Sequence, residues 1–162
     1  AAESFVRGLI AAGARRDPAE VEALLRERAD LPWAFSQSFA PVEGVVSSAQ
    51  RDRLTELMVR FMAYEVMMLA DLAQEGRFRM AGARREDDGI RVEGVFQDDA
   101  GDYPFSVLMG EPGPGTPPGV RDIASPRASS VVTKLRYATS SMAQVTTDAD
   151  MWIRVFDRAV GG

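Results

Sequence analysis

The chain contains no cysteine and no histidine. The first absence removes disulfides, thiol nucleophiles and thiolate metal sites together. The second removes the usual general base, the Ser-His-Asp triad and most zinc sites. Carboxylates remain as ligands for a hard cation, but no run of alternating acids resembles a calcium loop. No metal and no cofactor is therefore expected. Lysine is almost missing as well: Lys134 stands alone among nineteen basic residues, which reads first as a bias of genomic composition. A net charge of −5 and a pI near 4.8 argue against nucleic-acid binding and against tight docking on anionic lipid headgroups. No apolar run approaches the roughly eighteen residues that span a bilayer. Missing cysteine is compatible with an oxidising compartment without establishing one. The start Ala1-Ala2-Glu3 is compatible with the remnant of a small-residue cleavage site, or with a chain start of no processing meaning.

What is present suffices for one domain. With 162 residues and 46% hydrophobic composition, a core can bury roughly two-thirds of the unfolded surface. A single domain over 1–162 is expected, mainly helical in 1–76, mainly antiparallel sheet in 77–140, with a C-terminal segment in 141–162. That order is the order of an α+β fold.

Phe5, Val6, Leu9 and Ile10 give a short amphipathic helix that weakens at Gly13. Asp17 is the expected N-cap of the next, with Pro18 at its first position and Glu20 placed as in a capping box. Asp30, Pro32 and Pro41 bracket an aromatic segment, Trp33 to Phe39, read as another short helix. Ser47 or Ser48 caps a long helix that meets no Gly or Pro until Gly76, about 40 Å at 1.5 Å per residue. Leu54, Leu57, Met58, Phe61, Met68, Leu69 and Leu72 form its apolar stripe. Val59, Met62 and Val66 lie off that stripe, so the helix should be covered on two sides.

After Gly76 the period becomes two. Asp87-Asp88-Gly89 and Asp98-Asp99-Ala100-Gly101 are turns separating three strands of an antiparallel meander. Gly119 to Ile123 reads as a fourth strand, after an irregular loop over 111–119. Ser129 to Thr139 is either strand or helix, and its β-branched start favours strand. Asp148 or Asp150 caps a last helix through Trp152, Val155 and Phe156.

Several short features follow in a fixed order: Phe5-Val6, Gln50-Arg51 opening the long helix, and Phe61-Met62-Ala63-Tyr64 at its middle. Gly76-Arg77-Phe78-Arg79-Met80 follows, then Val120-Arg121-Asp122-Ile123 and Ser129-Ser130-Val131-Val132-Thr133-Lys134. In this order, over residues 4–137, the chain resembles the MlaC/toluene-tolerance family of periplasmic lipid-carrier proteins. The resemblance implies long and short helices packed on a curved antiparallel sheet of four to five strands, cone-like in outline. It also implies a lipid ligand, a periplasmic location with the leader removed, and a monomer. By the same resemblance the carrier meets an inner-membrane lipid transporter and an outer-membrane acceptor complex. Two places depart from the family pattern. Pro118 and Gly119 stand where an aromatic is expected, and Ala128-Ser129-Ser130, behind Ser125-Pro126-Arg127, replaces Gly-Val-Ser. The cargo is thereby left open between a phospholipid and a sterol- or hopanoid-like lipid.

A carrier must shield acyl chains from water, worth roughly 0.8 kcal/mol per buried CH₂. A long helix lying across a curved sheet can leave the dry space this needs, and Met suits its walls because an unbranched thioether adapts to varied shapes. The expected helix-side wall is Met58, Phe61, Met62, Met68 and Leu69; the sheet-side wall is Val92, Val95, Phe105, Val107 and Met109. Trp33, Phe35 and Phe39 are the expected rim or lid. The same stripe also describes an ordinary core. Glu65, among apolar neighbours, is either a polar pocket group or an edge residue paired with an Arg. Ser129, Ser130 and Thr133 are candidates for a headgroup, or plain turn and strand residues.

Two other classes stay open. One is an interaction module without a small ligand. The other is a cone-fold isomerase or dehydratase pairing a carboxylate with a Tyr, with Tyr64 and Glu65 or Tyr103 and Asp102 as the residues to suspect. The lipid carrier is the reading carried forward, with no catalytic role assigned.

Overall fold

Ser47 and Gln50 start the element that organises the molecule. The Gln50 amide donates to Ser47 Oγ at 3.2 Å, and the Ser47 amide donates to Gln50 Oε1 at 2.9 Å. This reciprocal capping box opens helix α4, Ser48–Glu75. Before it come α1 (Ala2–Ala14), α2 (Pro18–Arg28), α3 (Leu31–Ser38) and a 3₁₀ turn at Ala40–Val45. After it come β1 (Arg77–Glu86), β2 (Gly89–Asp98), β3 (Gly101–Met109), β4 (Val120–Ala124), α5 (Val131–Ala143) and α6 (Ala149–Gly161). The computed structural model describes residues 2–75, 77–111, 114, 119–125 and 129–161. Gly76 as a helix stop, Pro118, Pro126 to Ala128 and most of the 111–119 loop lie outside them.

The fold is α+β. Among the described residues there are seven helices, counting the 3₁₀ turn, and one open antiparallel sheet in the order β1-β2-β3-β4. The sheet is four-stranded because Ser129 to Thr139 does not form a fifth strand. Ser130 Oγ accepts from the Thr133 amide at 3.1 Å, and the capped segment buries Val131, Val132 and Leu135 as a helix. Cap and burial outweigh the weak strand preference of two valines and a threonine.

Helices α1, α2 and α6 pack along α4. The pairs Arg60–Glu22 and Arg26–Glu56 show that α2 runs antiparallel to it. Gly13 permits the closest approach of α1, since a Cβ there would stand 3.0 Å from Ala70 Cβ and 3.1 Å from the Val66 carbonyl. Val59, Met62, Ala63, Val66 and Ala70 are all buried, so α4 is covered on two sides. The sheet lies across this layer, and one continuous apolar cluster joins helices to strands. Bonds at the β4 edge tie the two layers: the Asp30 amide donates to the Val120 carbonyl at 2.8 Å, and Arg121 Nε donates to Asp30 Oδ2 at 3.0 Å.

Candidate functional site

The strand registers sort the sheet into two unlike faces. Phe78 lies opposite Phe96, Gly94 opposite Phe105, and Val92 opposite Val107, which in turn faces Ile123. These residues share the inner face, toward the helices. Phe78, Phe96 and Phe105 form a triangle with ring centroids 5.0 to 5.5 Å apart. Gly94 makes room for it: a Cβ there would fall 2.1 Å from Phe105 Cε1, so the ring lies flat over the β2 backbone.

From the helical side Met58, Met62 and Leu69 enter the same cluster. Met58, Met62, Val92 and Met109 have no exposed surface at all, and Leu69, Val107 and Phe105 have 2% or less. The seam between α4 and the inner face is therefore packed by its own side chains. Phe61 is only partly buried and meets Phe156 edge-on at 6.0 Å, beyond which Phe39 and Phe35 continue an aromatic row.

Four expected positions fall elsewhere. Val95 is on the outer face of the sheet: alternation along a strand cannot put residues three apart on one side, and Phe96 takes the inner place instead. The run Val92, Gly94, Phe96 carried that signal. Met68 is 38% exposed and shares the solvent side of α4 with Tyr64 and Asp71, at i, i+4 and i+7. Phe35 and Phe39 are 1% exposed, so they belong to the core and form no lid. Trp33 alone stays near the surface, held beneath the Arg121 guanidinium at 5.1 Å.

Glu65 is buried, and its partner is the single lysine rather than an arginine. Lys134 Nζ donates to Glu65 Oε1 at 2.6 Å, linking α5 to α4, while Glu65 Oε2 is buried with no hydrogen-bond partner. Tyr64, its neighbour in sequence, is 60% exposed and points away. Asp102 and Tyr103 are likewise parted by strand alternation, with Asp102 accepting from Gln97 on the exposed side. Neither carboxylate–tyrosine pair converges.

The outer face is polar and open. Arg91 donates to Glu86 at 2.9 Å and to Ser106 Oγ at 3.0 Å, and Arg84 reaches Glu86 and Glu93 at 3.1 Å. These arginines hold the Glu86 carboxyl below the usual range, the bond from Arg91 contributing most. A groove of about 620 Å³ crosses this face, lined by Glu93, Val95, Pro104, Ser106, Ser125 and Ser129 among others. At its far side Asp122 Oδ1 accepts from the amides of Ile123 and Val132, at 2.8 and 3.0 Å. Burial pushes its carboxyl up, against those bonds, one to Ser130 and the charge of Arg91. Ser130 and Thr133 are occupied with the α5 cap. Among the described residues no group of His, Cys, Asp or Glu is placed to hold a metal ion.

No protein-family model and no characterised protein matches the sequence. The fold has counterparts among solved structures, three chains of which match. One is the phospholipid-binding protein of Ralstonia solanacearum, solved in complex with a phospholipid. It shares 12% of residues with this chain, over 98% of this chain and 92% of its own length, with a TM-score of 0.66. The two chains have the same α+β fold.

Proposed function

We propose that this chain is a lipid-binding carrier of the MlaC type. The observation that carries the reading is the shared fold, over nearly the whole of both chains, with a protein that holds a phospholipid. The composition of the seam supports it. Met58, Met62 and Met109 belong with Val92, Phe105 and Val107 to one buried apolar cluster, and unbranched methionines can repack around an inserted chain at little cost.

In this reading the seam, packed by its own side chains, is closed. Cargo enters when α4 and the inner face part. The sheet is open, not a barrel, so that separation breaks no strand-to-strand hydrogen bond. Each methylene brought into the gap returns roughly 0.8 kcal/mol, which offsets the packing that Met and Phe side chains give up as the seam widens. The carrier works in the periplasm, without catalysis, between an inner-membrane lipid transporter and an outer-membrane acceptor.

Mass spectrometry of organic extracts of the purified protein, beside its native intact mass, tests the reading. The expected result is one co-purifying phospholipid, sterol or hopanoid per chain. A protein that arrives empty and takes up no lipid from vesicles overturns it in favour of an interaction module. Fractionation of cells that make the protein from its own gene checks the compartment.

A further inference from the structure

Helix α6 carries apolar residues on two sides. Ala149, Trp152 and Phe156 are buried, with Phe156 edge-on to Phe39 and Phe61. On the adjoining flank Met151 and Val155, one turn apart, are 44% and 47% exposed, and Val145, in the segment before the helix, is 84% exposed. Two hollows meet at Met151 and Val155. One, about 320 Å³, is walled almost entirely by apolar surface reaching to Met142 and Trp152. The other, about 460 Å³, is flanked by Arg154 and Arg158.

The charges divide in the same way. Asp157 turns toward α4, where it meets Arg53 and Arg60, and Asp150 accepts from Gln50. The outward face keeps Arg154, whose carboxylate partner Asp148 is 4.0 Å away, and Arg158, which makes no ion pair among the described residues. An apolar stripe beside a guanidinium stripe is thus left facing water in a chain of net charge −5.

We infer that this face seats the protein on a phospholipid bilayer surface, with Met151, Val155 and Val145 in the headgroup–acyl boundary and Arg154 and Arg158 on lipid phosphates. The guanidinium fork matches phosphate oxygens, and half-exposed apolar side chains beside it can enter the headgroup–acyl boundary. Val145, Met151 and Val155 line one small apolar hollow, far short of the continuous patch of roughly 800 Å² a side that a stable protein interface needs. The net negative charge keeps the seat weak, reversible and salt-sensitive. This docking goes beyond the carrier reading and uses none of the seam.

Co-sedimentation of the whole chain with vesicles of phosphatidylcholine and phosphatidylglycerol in equal parts tests it. Binding that weakens with salt is expected. The double variant Met151→Asp, Val155→Asp should reduce it by about tenfold or more, and Arg154→Gln and Arg158→Gln by about fivefold each. Arg85→Gln, on the distant β1–β2 hairpin, should leave it unchanged. These positions are exposed, and unaltered thermal unfolding confirms that the variants fold. Absence of vesicle binding, or binding indifferent to these substitutions, overturns the inference. So does a dimer of the parent chain that the double variant abolishes, which assigns the face to a second copy. A chain that retains extracted lipid yet ignores vesicles refutes the docking and leaves the carrier reading standing; the reverse result refutes the carrier and keeps the docking.

Discussion

The two faces of one sheet are built to different rules. The inner face carries Phe96, Phe105, Val107 and Met109 with almost no exposed surface, and Tyr103 joins them opposite Phe96. The outer face, one residue out of step, carries Arg91, Glu93 and Ser106 in a hydrogen-bonded lattice beside an open groove. The same backbone serves both, so the difference lies wholly in side-chain parity. Apolar packing without partners can reopen around another apolar molecule. A charged lattice of fixed partners cannot do so without breaking bonds.

The widest gap between the faces should come from one charge placed on each side of the sheet. Met62→Asp buries an unpaired carboxylate where no surface is exposed, and a loss of more than about 4 kcal/mol is expected. Val95→Asp on the outer face should cost about 1 kcal/mol or less. Urea unfolding of both reads the contrast, and similar losses would erase the distinction. Next comes Gly94→Val, which drives a side chain into the Phe105 ring; about 3 kcal/mol is expected from chemical denaturation. Phe105→Ala in the same chain should recover part of it.

A smaller effect concerns the polar contact between α4 and α5. Lys134→Ala leaves Glu65 buried without its donor, at a cost of about 1 to 3 kcal/mol, reduced by the partial exposure of the lysine. Added to Glu65→Leu, the same change should cost little; equal costs in both backgrounds would show that the pair does not couple. The smallest effect is a matter of pH. Burial raises the Asp122 carboxyl, so between the ordinary carboxylate range and that higher value the folded chain binds more proton than the unfolded one. Stability from this group therefore falls as pH rises through that window. Asp122→Asn should gain on the parent as pH rises above the ordinary carboxylate range, read from urea unfolding at a series of pH values. Using the difference between the two profiles removes Glu56 and Glu86, whose depressed values act in the opposite direction.

Much of the architecture was legible in local chemistry. Asp17 and Ser47 cap the helices that their positions announce, and Asp87-Asp88-Gly89 turns the first hairpin; Asp30, read only as a bracket of the aromatic segment, caps α3. Glu20 was legible only as a capping acid, whereas its carboxylate bonds Arg15. Segment 131–139 misled because strand preference is a local signal, and the burial of Val131, Val132 and Leu135 is tertiary. On the inner face Phe105, Val107 and Met109 fall together because their even spacing is the strand period. Val95 was misplaced by ignoring that period. Met68 was misplaced because a broad apolar helix does not say which of its stripes faces the sheet. The lysine partner of Glu65, 69 residues away, left no trace in spacing.

The edges of the sheet carry one more consequence. β1 is interrupted at Ala81, where the register slips and Gly82 adopts a positive φ of 135°, and its flank exposes Arg79, Arg84 and Arg85. β4 is five residues long, slips at Arg121, and is bridged on its free side by Ala29. Kinks, like charges and a covering segment are what stop strands of separate molecules from adding to one another. In the proposed carrier each opening of the seam would expose sticky surface, and blunted edges would let it open without seeding fibrils.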